Sequence, residues 1–157
     1  MVILGMNISG FHSSACLIVD GEIKFAITEE RISRLKRDKS FPLKSIEYCC
    51  QNANVSKHDI TDVYVGWNPA HYMYKSDNTL ADALKDRGKL SYLVLNELST
   101  LIFKEITEIK QELITLNNNL KIHYVNHHHA HLSNVFFTSG FHKSDFFVAD
   151  GFGENSS

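Results

Sequence analysis

A cluster of histidines is the feature of this sequence that most directly suggests chemistry, since five of the nine histidines lie between positions 123 and 131. In the segment Asn126-His127-His128-His129-Ala130-His131, two histidines are four residues apart. On a helix, His127 and His131 therefore share a face, while His128 and His129 point elsewhere. Such a pair can bind zinc or ferrous iron together with a third ligand from another part of the chain. The alternative is a polar helix start that binds no metal.

A carboxylate follows the last apolar run of the chain. Residues 146–149 are apolar, Asp150 comes next, and Gly151 and Gly153 follow it. This placement suits a metal or phosphate site, because α/β folds bind ligands at the carboxyl ends of strands and glycine backbones let phosphate approach their N–H groups. An ordinary Asp-Gly hairpin turn explains the same residues equally well.

Two further segments carry groups that suit an anion. The turn Gly10-Phe11-His12-Ser13-Ser14 places a histidine and two hydroxyls between two predicted strands, where a phosphate-binding hairpin would lie. The mixed-charge stretch of residues 29–39 is rich in cations near its end. These cations can hold an anionic substrate. Alternatively, both segments are simply solvated.

The elements that must position these groups follow from short apolar runs bounded by turn residues, which predict six strands. The first three form a meander that includes the Asp20-Gly21 turn. Apolar residues at helical spacing predict helices over residues 45–53 and 95–116, and Asn126 is expected to cap a further helix that contains the histidines. This alternation is typical of an α/β fold with a mixed sheet. The predicted strands are residues 2–8, 15–19, 23–28, 61–66, 121–125 and 146–149.

Composition limits the classes of function. A chain of 157 residues that is 43% hydrophobic and 22% charged is typical of one globular domain. The net charge of −2 provides no broad basic surface, so nucleic acid is not expected as a partner. Neither a signal peptide nor the ~18 apolar residues of a membrane span occurs, so a cytoplasmic protein without membrane contact is expected. The three cysteines lie in apolar stretches and are expected to be buried and reduced.

Taken in order, four main motifs resemble the O-carbamoyltransferases of the nodulation-factor and antibiotic-tailoring type. The resemblance covers nearly the whole chain and is thin around residues 75–120. Shorter matches include Ile3-Leu4-Gly5, Val19-Asp20-Gly21-Glu22-Ile23, Phe41-Pro42 and Ile46-Glu47-Tyr48-Cys49. The four motifs are His12-Ser13-Ser14-Ala15, Glu29-Glu30-Arg31-Ile32-Ser33-Arg34-Leu35-Lys36, Asn126-His127-His128-His129-Ala130-His131 and Asp150-Gly151-Phe152-Gly153-Glu154.

The resemblance implies the actin/sugar-kinase/Hsp70-like, or ribonuclease H-like, α/β fold. Residues 1–144 are then expected to form an N-terminal lobe with a helical insertion at about 75–118, and residues 145–157 to begin a second lobe that is incomplete here. The resemblance implies that members run to several hundred residues and carry a second actin-like half, a further metal-ligating Asp and a separate adenylate-forming domain. The chain is therefore expected to be an N-terminal fragment, a truncated product or one piece of a split enzyme.

The resemblance also implies an activity. Family members transfer a carbamoyl group from carbamoyl phosphate, through a carbamoyl-adenylate made with ATP, to a hydroxyl of a small molecule such as a secondary metabolite. The alternatives are a non-catalytic interaction or regulatory remnant of the fold, and a relative that acts in tRNA threonylcarbamoyl-adenosine synthesis. The chain alone is expected to be inactive, and its expected partner is the remainder of the enzyme or a second copy of itself.

Site residues are likewise assigned by the resemblance. The implied ligands of a divalent metal, usually iron and otherwise zinc or magnesium, are His127, His131 and Asp150. His12 is expected to act near the carbamoyl carbon and the acceptor hydroxyl, and Lys36 is the second expected catalytic residue. The residues expected to contact the nucleotide cofactor are Ser13, Gly151 and Gly153.

Overall fold

The computed structural model describes residues 1–8, 12–66, 113, 115–117 and 119–150. They form a β-sheet with short helices and one 3₁₀ turn at Lys57–Asp59. The strands are β1 Val2–Asn7, β2 Ser14–Val19, β3 Glu22–Thr28, β4 Ile60–Val65 and β5 Lys121–Tyr124, and the helices are α1 Glu29–Ser33, α2 Leu43–Ala53 and α3 His127–Ser139.

The sheet has five strands in the order β3-β2-β1-β4-β5. Strands β1, β2 and β3 pair antiparallel as a meander, while β4 and β5 run parallel to β1. Asp20 and Gly21 both have positive φ, as a tight turn between β2 and β3 requires. The predicted α/β class with a mixed sheet is confirmed, and the strand order and directions agree with the ribonuclease H-like lobe that the resemblance implies.

The core lies on one face of this sheet. Leu4 of β1 is opposite Leu17 of β2 and Val63 of β4, and all three are buried because alternate residues of neighbouring strands share a face. Helix α2 covers this face with Ile46, Cys49 and Cys50. The buried hydrophobic residues are Leu4, Met6, Ile8, Ala15, Leu17, Ile46, Cys49, Cys50, Ile60, Val63, Val65, Leu113 and Leu116.

A buried carboxylate joins α1 to α2. Pro42 precedes α2 and has no side chain that can cap it, so the first N–H groups of the helix need another acceptor. Glu29, which is 2% exposed, accepts hydrogen bonds from Lys44 N (3.3 Å), Ser45 N (2.8 Å) and Ser45 Oγ (2.7 Å). Glu29 therefore caps a helix that begins 14 residues later and fixes the junction of β3 and α1 against it.

Most predicted elements are confirmed. The first five predicted strands and the helices at 45–53 and after Asn126 are present, with bounds shifted by one or two residues. The prediction of a strand over 146–149 is wrong: none of the described strands pairs with these residues, and Phe147 is 92% exposed. A strand needs a hydrogen-bonded neighbour, which an apolar run alone does not supply. Helix α1 was not predicted.

Several other predictions fall wholly or partly on residues that the structure does not describe. The predicted helix over 95–116 lies outside the described residues except for its end, where Leu113 and Leu116 are helical and buried. The division at residue 144 and the insertion at 75–118 stay predictions. Among the helices described, none is long and apolar enough to cross a bilayer.

The three cysteines are free. Cys49 and Cys50 are buried as predicted, and burial raises the pKa of Cys49 to about 11. Cys16 is half-buried and lies on the other face of the sheet, where burial raises its pKa as well. These thiols are therefore protonated at neutral pH, and Cys16 adds no charge to that face.

Candidate functional site

The helix that carries the histidines begins where the sequence predicts. The side chain of Asn126 accepts hydrogen bonds from His128 N (3.1 Å) and His129 N (3.3 Å) and thus caps α3. Val125 N donates to Val65 O at 2.8 Å, which places the start of α3 beside the end of β4. His127 is therefore the first residue of a helix that is fixed at the carboxyl end of a central strand.

Three side chains meet at this point. His127 Nε2 lies 2.8 Å from Asp150 Oδ2, and His131 Nε2 lies 3.1 Å from the same oxygen. The two Nε2 atoms are 3.1 Å apart. The three atoms thus form a compact triangle, with His127 the most buried of the three and His131 about half exposed. His128 and His129 do not belong to this cluster.

The donor set fits a divalent metal ion. Ligand atoms about 2.0–2.2 Å from a tetrahedral zinc ion lie roughly 3.3–3.6 Å from one another, so these atoms need to separate by only a few tenths of an ångström. His127 Nδ1 donates to the carbonyl of Gly66 at 3.4 Å, which leaves the lone pair of Nε2 directed at the cluster. Such a hydrogen bond orients metal-binding histidines in many proteins. Two imidazoles and one carboxylate suit ferrous iron or zinc.

A cavity of about 1070 Å³ separates the cluster from the sheet. Its floor is the sheet face opposite the core, where Gly5, Cys16 and Ala26 are paired across three strands and leave space, because Gly5 has no side chain and the other two have small ones. One wall is α3 and the other is the β3–α1 junction. The lining residues with polar or charged side chains are Asn7, His12, Ser14, Cys16, Thr28, Arg31, His127, His131, Asn134 and Asp150.

The structure places some of the predicted site residues at the cavity and others away from it. His127, His131 and Asp150 lie together, and His12 lines the same cavity. Gly151 and Gly153 are outside the described residues, so their predicted cofactor contacts stay predictions.

Ser13 and Lys36 do not line the cavity in the part of the chain described. Ser13 is 1% exposed, and its hydroxyl donates to the carbonyl of Asp38 at 3.4 Å, so its side chain joins the hairpin to the segment after α1. Of the two adjacent serines, Ser14 is the one that lines the cavity. Lys36 is exposed in a turn. Its predicted catalytic role and the predicted cofactor contact of Ser13 remain predictions.

Sequence reasoning missed Asn7, Asn134 and the individual position of Arg31. Arg31 was included only as one of several cations in a charged stretch, yet it lines the cavity. No local signal distinguishes it from the other cations, because its position depends on the contact of Glu29 with Ser45 at the start of α2.

The family model described as "Carbamoyltransferase N-terminus" matches residues 2–156. An uncharacterized protein of Synechocystis sp., sll1178, is 30% identical over an alignment that covers 97% of this chain and 26% of the relative. The nodulation protein NolNO of Sinorhizobium fredii is 28% identical over 149 residues, which cover 93% of this chain and 20% of the relative. The chain thus spans about a quarter and a fifth of the lengths of these two relatives.

A shorter relative is also similar. An uncharacterized 19.2 kDa protein of Rhizobium etli is 31% identical over 85 residues, which cover 54% of this chain and 44% of the relative. Among solved structures, YeaZ from Pseudomonas aeruginosa aligns with a TM-score of 0.44 and 12% identity, covering 79% of this chain and 43% of that one.

Proposed function

The chain belongs to the carbamoyltransferase N-terminus family, and from this premise we propose that it is the N-terminal part of an O-carbamoyltransferase. The proposed reaction moves a carbamoyl group from carbamoyl phosphate, by way of carbamoyl-adenylate, to a hydroxyl of a small-molecule natural product. The observation that carries the proposal is the cluster of His127, His131 and Asp150 facing the cavity that His12 also lines.

The cluster is the proposed metal site. Nε2 of His127, Nε2 of His131 and Oδ2 of Asp150 would hold the ion, because these residues form the candidate metal-binding group found among the described residues. When bound, a divalent cation supplies positive charge that neutralises phosphate oxygens and stabilises a phosphate leaving group. The cap at Asn126 and the hydrogen bond from His127 to Gly66 hold the imidazoles in place for this role.

His12 is the proposed general base. A neutral imidazole at the cavity can take the proton of the acceptor hydroxyl as its oxygen attacks the carbamoyl carbon. A carbon–oxygen bond forms to the acceptor, the bond between the carbamoyl carbon and the adenylate oxygen breaks, and AMP leaves with the electron pair. This transfer needs no covalent intermediate with the protein, so a neutral Cys16 thiol on the cavity floor is compatible with it.

A second candidate is a binding role that depends on the rest of a longer carbamoyltransferase. Apolar side chains are exposed around α3 and the segment after it: Val135 is 60% exposed, Phe137 79%, Phe141 66% and Phe147 92%. Exposed apolar surface of this kind is typical of a docking face. Because NolNO and the Synechocystis relative are several times longer, the remaining part of such an enzyme is the proposed occupant.

Metal analysis of the purified chain tests the leading proposal. We expect the wild-type chain to retain iron or zinc and His131→Ala to lose most of it. His129→Ala is the matched control, because His129 is exposed on the same helix and lies outside the cluster. Equal metal content in wild type and His131→Ala would remove this residue from the ligand set.

Activity of the chain alone tests the need for a partner. We expect no carbamoyl transfer from carbamoyl phosphate and ATP to a hydroxyl acceptor without added protein. Turnover by the purified chain would show instead that these 157 residues suffice for the reaction.

A further inference from the structure

We propose that Arg31 binds a phosphate group of the ligand, on the wall of the cavity that faces the His127, His131 and Asp150 cluster. This inference rests on the proposed function and adds to it the residue that recognises the anion. It differs from the expectation drawn from the resemblance, in which Lys36 is the functional cation of the same motif.

Arg31 has the position that this role requires. It is the third residue of α1, which begins directly after β3, and it lines the cavity together with Thr28 and Ser14. Lys36 lies in the turn beyond α1 and is not among the cavity-lining residues that the structure describes. Arg31 therefore lies at the cavity because it is on α1, whereas Lys36 follows the end of this helix and lies outside the cavity lining.

The two glutamates that precede Arg31 do not neutralise it. The carboxylate of Glu29 accepts hydrogen bonds from the backbone and hydroxyl of Ser45 at the start of α2. The carboxylate of Glu30 accepts a hydrogen bond from Arg37 N at 2.9 Å. Across the described ranges, the Arg31 side chain has no ion pair or hydrogen bond. Its guanidinium therefore keeps its N–H donors available at the cavity wall.

The neighbouring groups favour an oxyanion. Asn7, Ser14 and Thr28 are paired directly across three strands, and all three line the cavity beside Arg31. The hydroxyl of Thr28 is buried and has no hydrogen-bond partner in the described part of the chain, which is uncommon in native structures. Asp150 is the carboxylate among the lining residues, and its Oδ2 contacts Nε2 of His127 and Nε2 of His131. A guanidinium flanked by hydroxyl and amide groups matches the geometry of phosphate.

Phosphate titration of the metal-free chain, followed by two-dimensional NMR, tests the proposal. The probes are inorganic phosphate, carbamoyl phosphate and AMP, and removing the metal with EDTA leaves Arg31 to be tested alone. We expect Arg31→Gln to weaken phosphate binding at least about tenfold, and Arg31→Lys to retain part of the affinity. Arg34→Gln and Lys39→Gln remove the same charge from the same segment and are expected to stay within about twofold of wild type.

The outcomes of this experiment distinguish the assignment of Arg31 from the proposed metal site. Undetectable phosphate binding by the wild type, unchanged binding by Arg31→Gln, or an equal loss in Arg34→Gln would overturn the assignment of Arg31. Tighter binding of carbamoyl phosphate than of AMP would assign Arg31 to the carbamoyl donor, and the reverse order would assign it to the nucleotide. The metal content of Arg31→Gln is expected to equal that of wild type. The proposed metal site is tested by the metal content of His131→Ala, whereas the assignment of Arg31 is tested by phosphate binding of the metal-free chain.

Discussion

Helices α2 and α3 are similar in length but differ in where their side chains lie. Helix α2 has 11 residues and buries Ser45, Ile46, Cys49 and Cys50. Helix α3 has 13 residues, none of which is buried. The first is capped by Glu29, a residue distant in sequence, whereas the second is capped by its own Asn126.

The difference indicates that α2 contributes mainly to the stability of the fold and α3 mainly to the candidate site. Helix α2 is held by the core and in turn holds the sheet, so changes on its buried face should cost stability. Helix α3 is held by its cap and by its contact with the end of β4, and it presents His127 and His131 to the cavity. Changes on α3 should therefore alter binding while leaving most of the fold intact.

The largest expected effect on stability is at Ile46, which is fully buried in the core. Ile46→Ala leaves a cavity and should lower the free energy of unfolding by about 2–5 kcal/mol, measured by urea denaturation. The control on α3 is Val135→Ala, which changes a side chain that is 60% exposed and should change stability by no more than about 0.5 kcal/mol. Equal destabilisation by the two variants would break the contrast between the helices.

A smaller loss is expected when the cap of α2 is removed. Glu29→Gln keeps the size of the side chain but replaces one acceptor oxygen with an N–H₂ group that faces the N–H groups of α2. The unfolding free energy should fall by about 1–3 kcal/mol, because buried donors lose their acceptor. Glu22→Gln, which alters an exposed carboxylate beside Lys24, should have little effect. If Glu29→Gln is as stable as wild type, α2 does not depend on this cap.

The smallest effect concerns pH. Hydrogen bonds from Ser33 and Ser40 lower the pKa of Asp38 from its ordinary value of 3.8 to about 2. Because the folded pKa is depressed, the stabilisation is present above pH 3.8 and is lost as the pH falls to about 2. Asp38→Asn should therefore reduce the slope of stability against pH in this window, measured by urea unfolding at several pH values. An unchanged slope would show that Asp38 does not contribute.

The sequence allowed most of the sheet and the two longer described helices to be predicted, because strand alternation and the Asn126 cap are local patterns. Helix α1 was missed since five residues are too few to show a helical period. The strand over 146–149 was predicted wrongly because an apolar run indicates burial but does not identify a pairing neighbour. Phe147 remains exposed instead.

The candidate site was predictable to a different extent at each residue. The spacing of His127 and His131 indicates a shared helix face without knowledge of the fold. The approach of Asp150 depends on the path of the chain after α3, so it was expected only from the resemblance. The position of Arg31 depends on the contact of Glu29 with Ser45, 16 residues away in sequence, which no local pattern reports.

The central claim is that His127, His131 and Asp150 hold one metal ion at the cavity. The most direct measurement is anomalous diffraction at the iron and zinc absorption edges from crystals of the chain grown with each metal. The account predicts one strong peak about 2.0–2.3 Å from His127 Nε2, His131 Nε2 and an Asp150 carboxylate oxygen. A peak bound elsewhere, or no peak at the cluster with either metal, would contradict it.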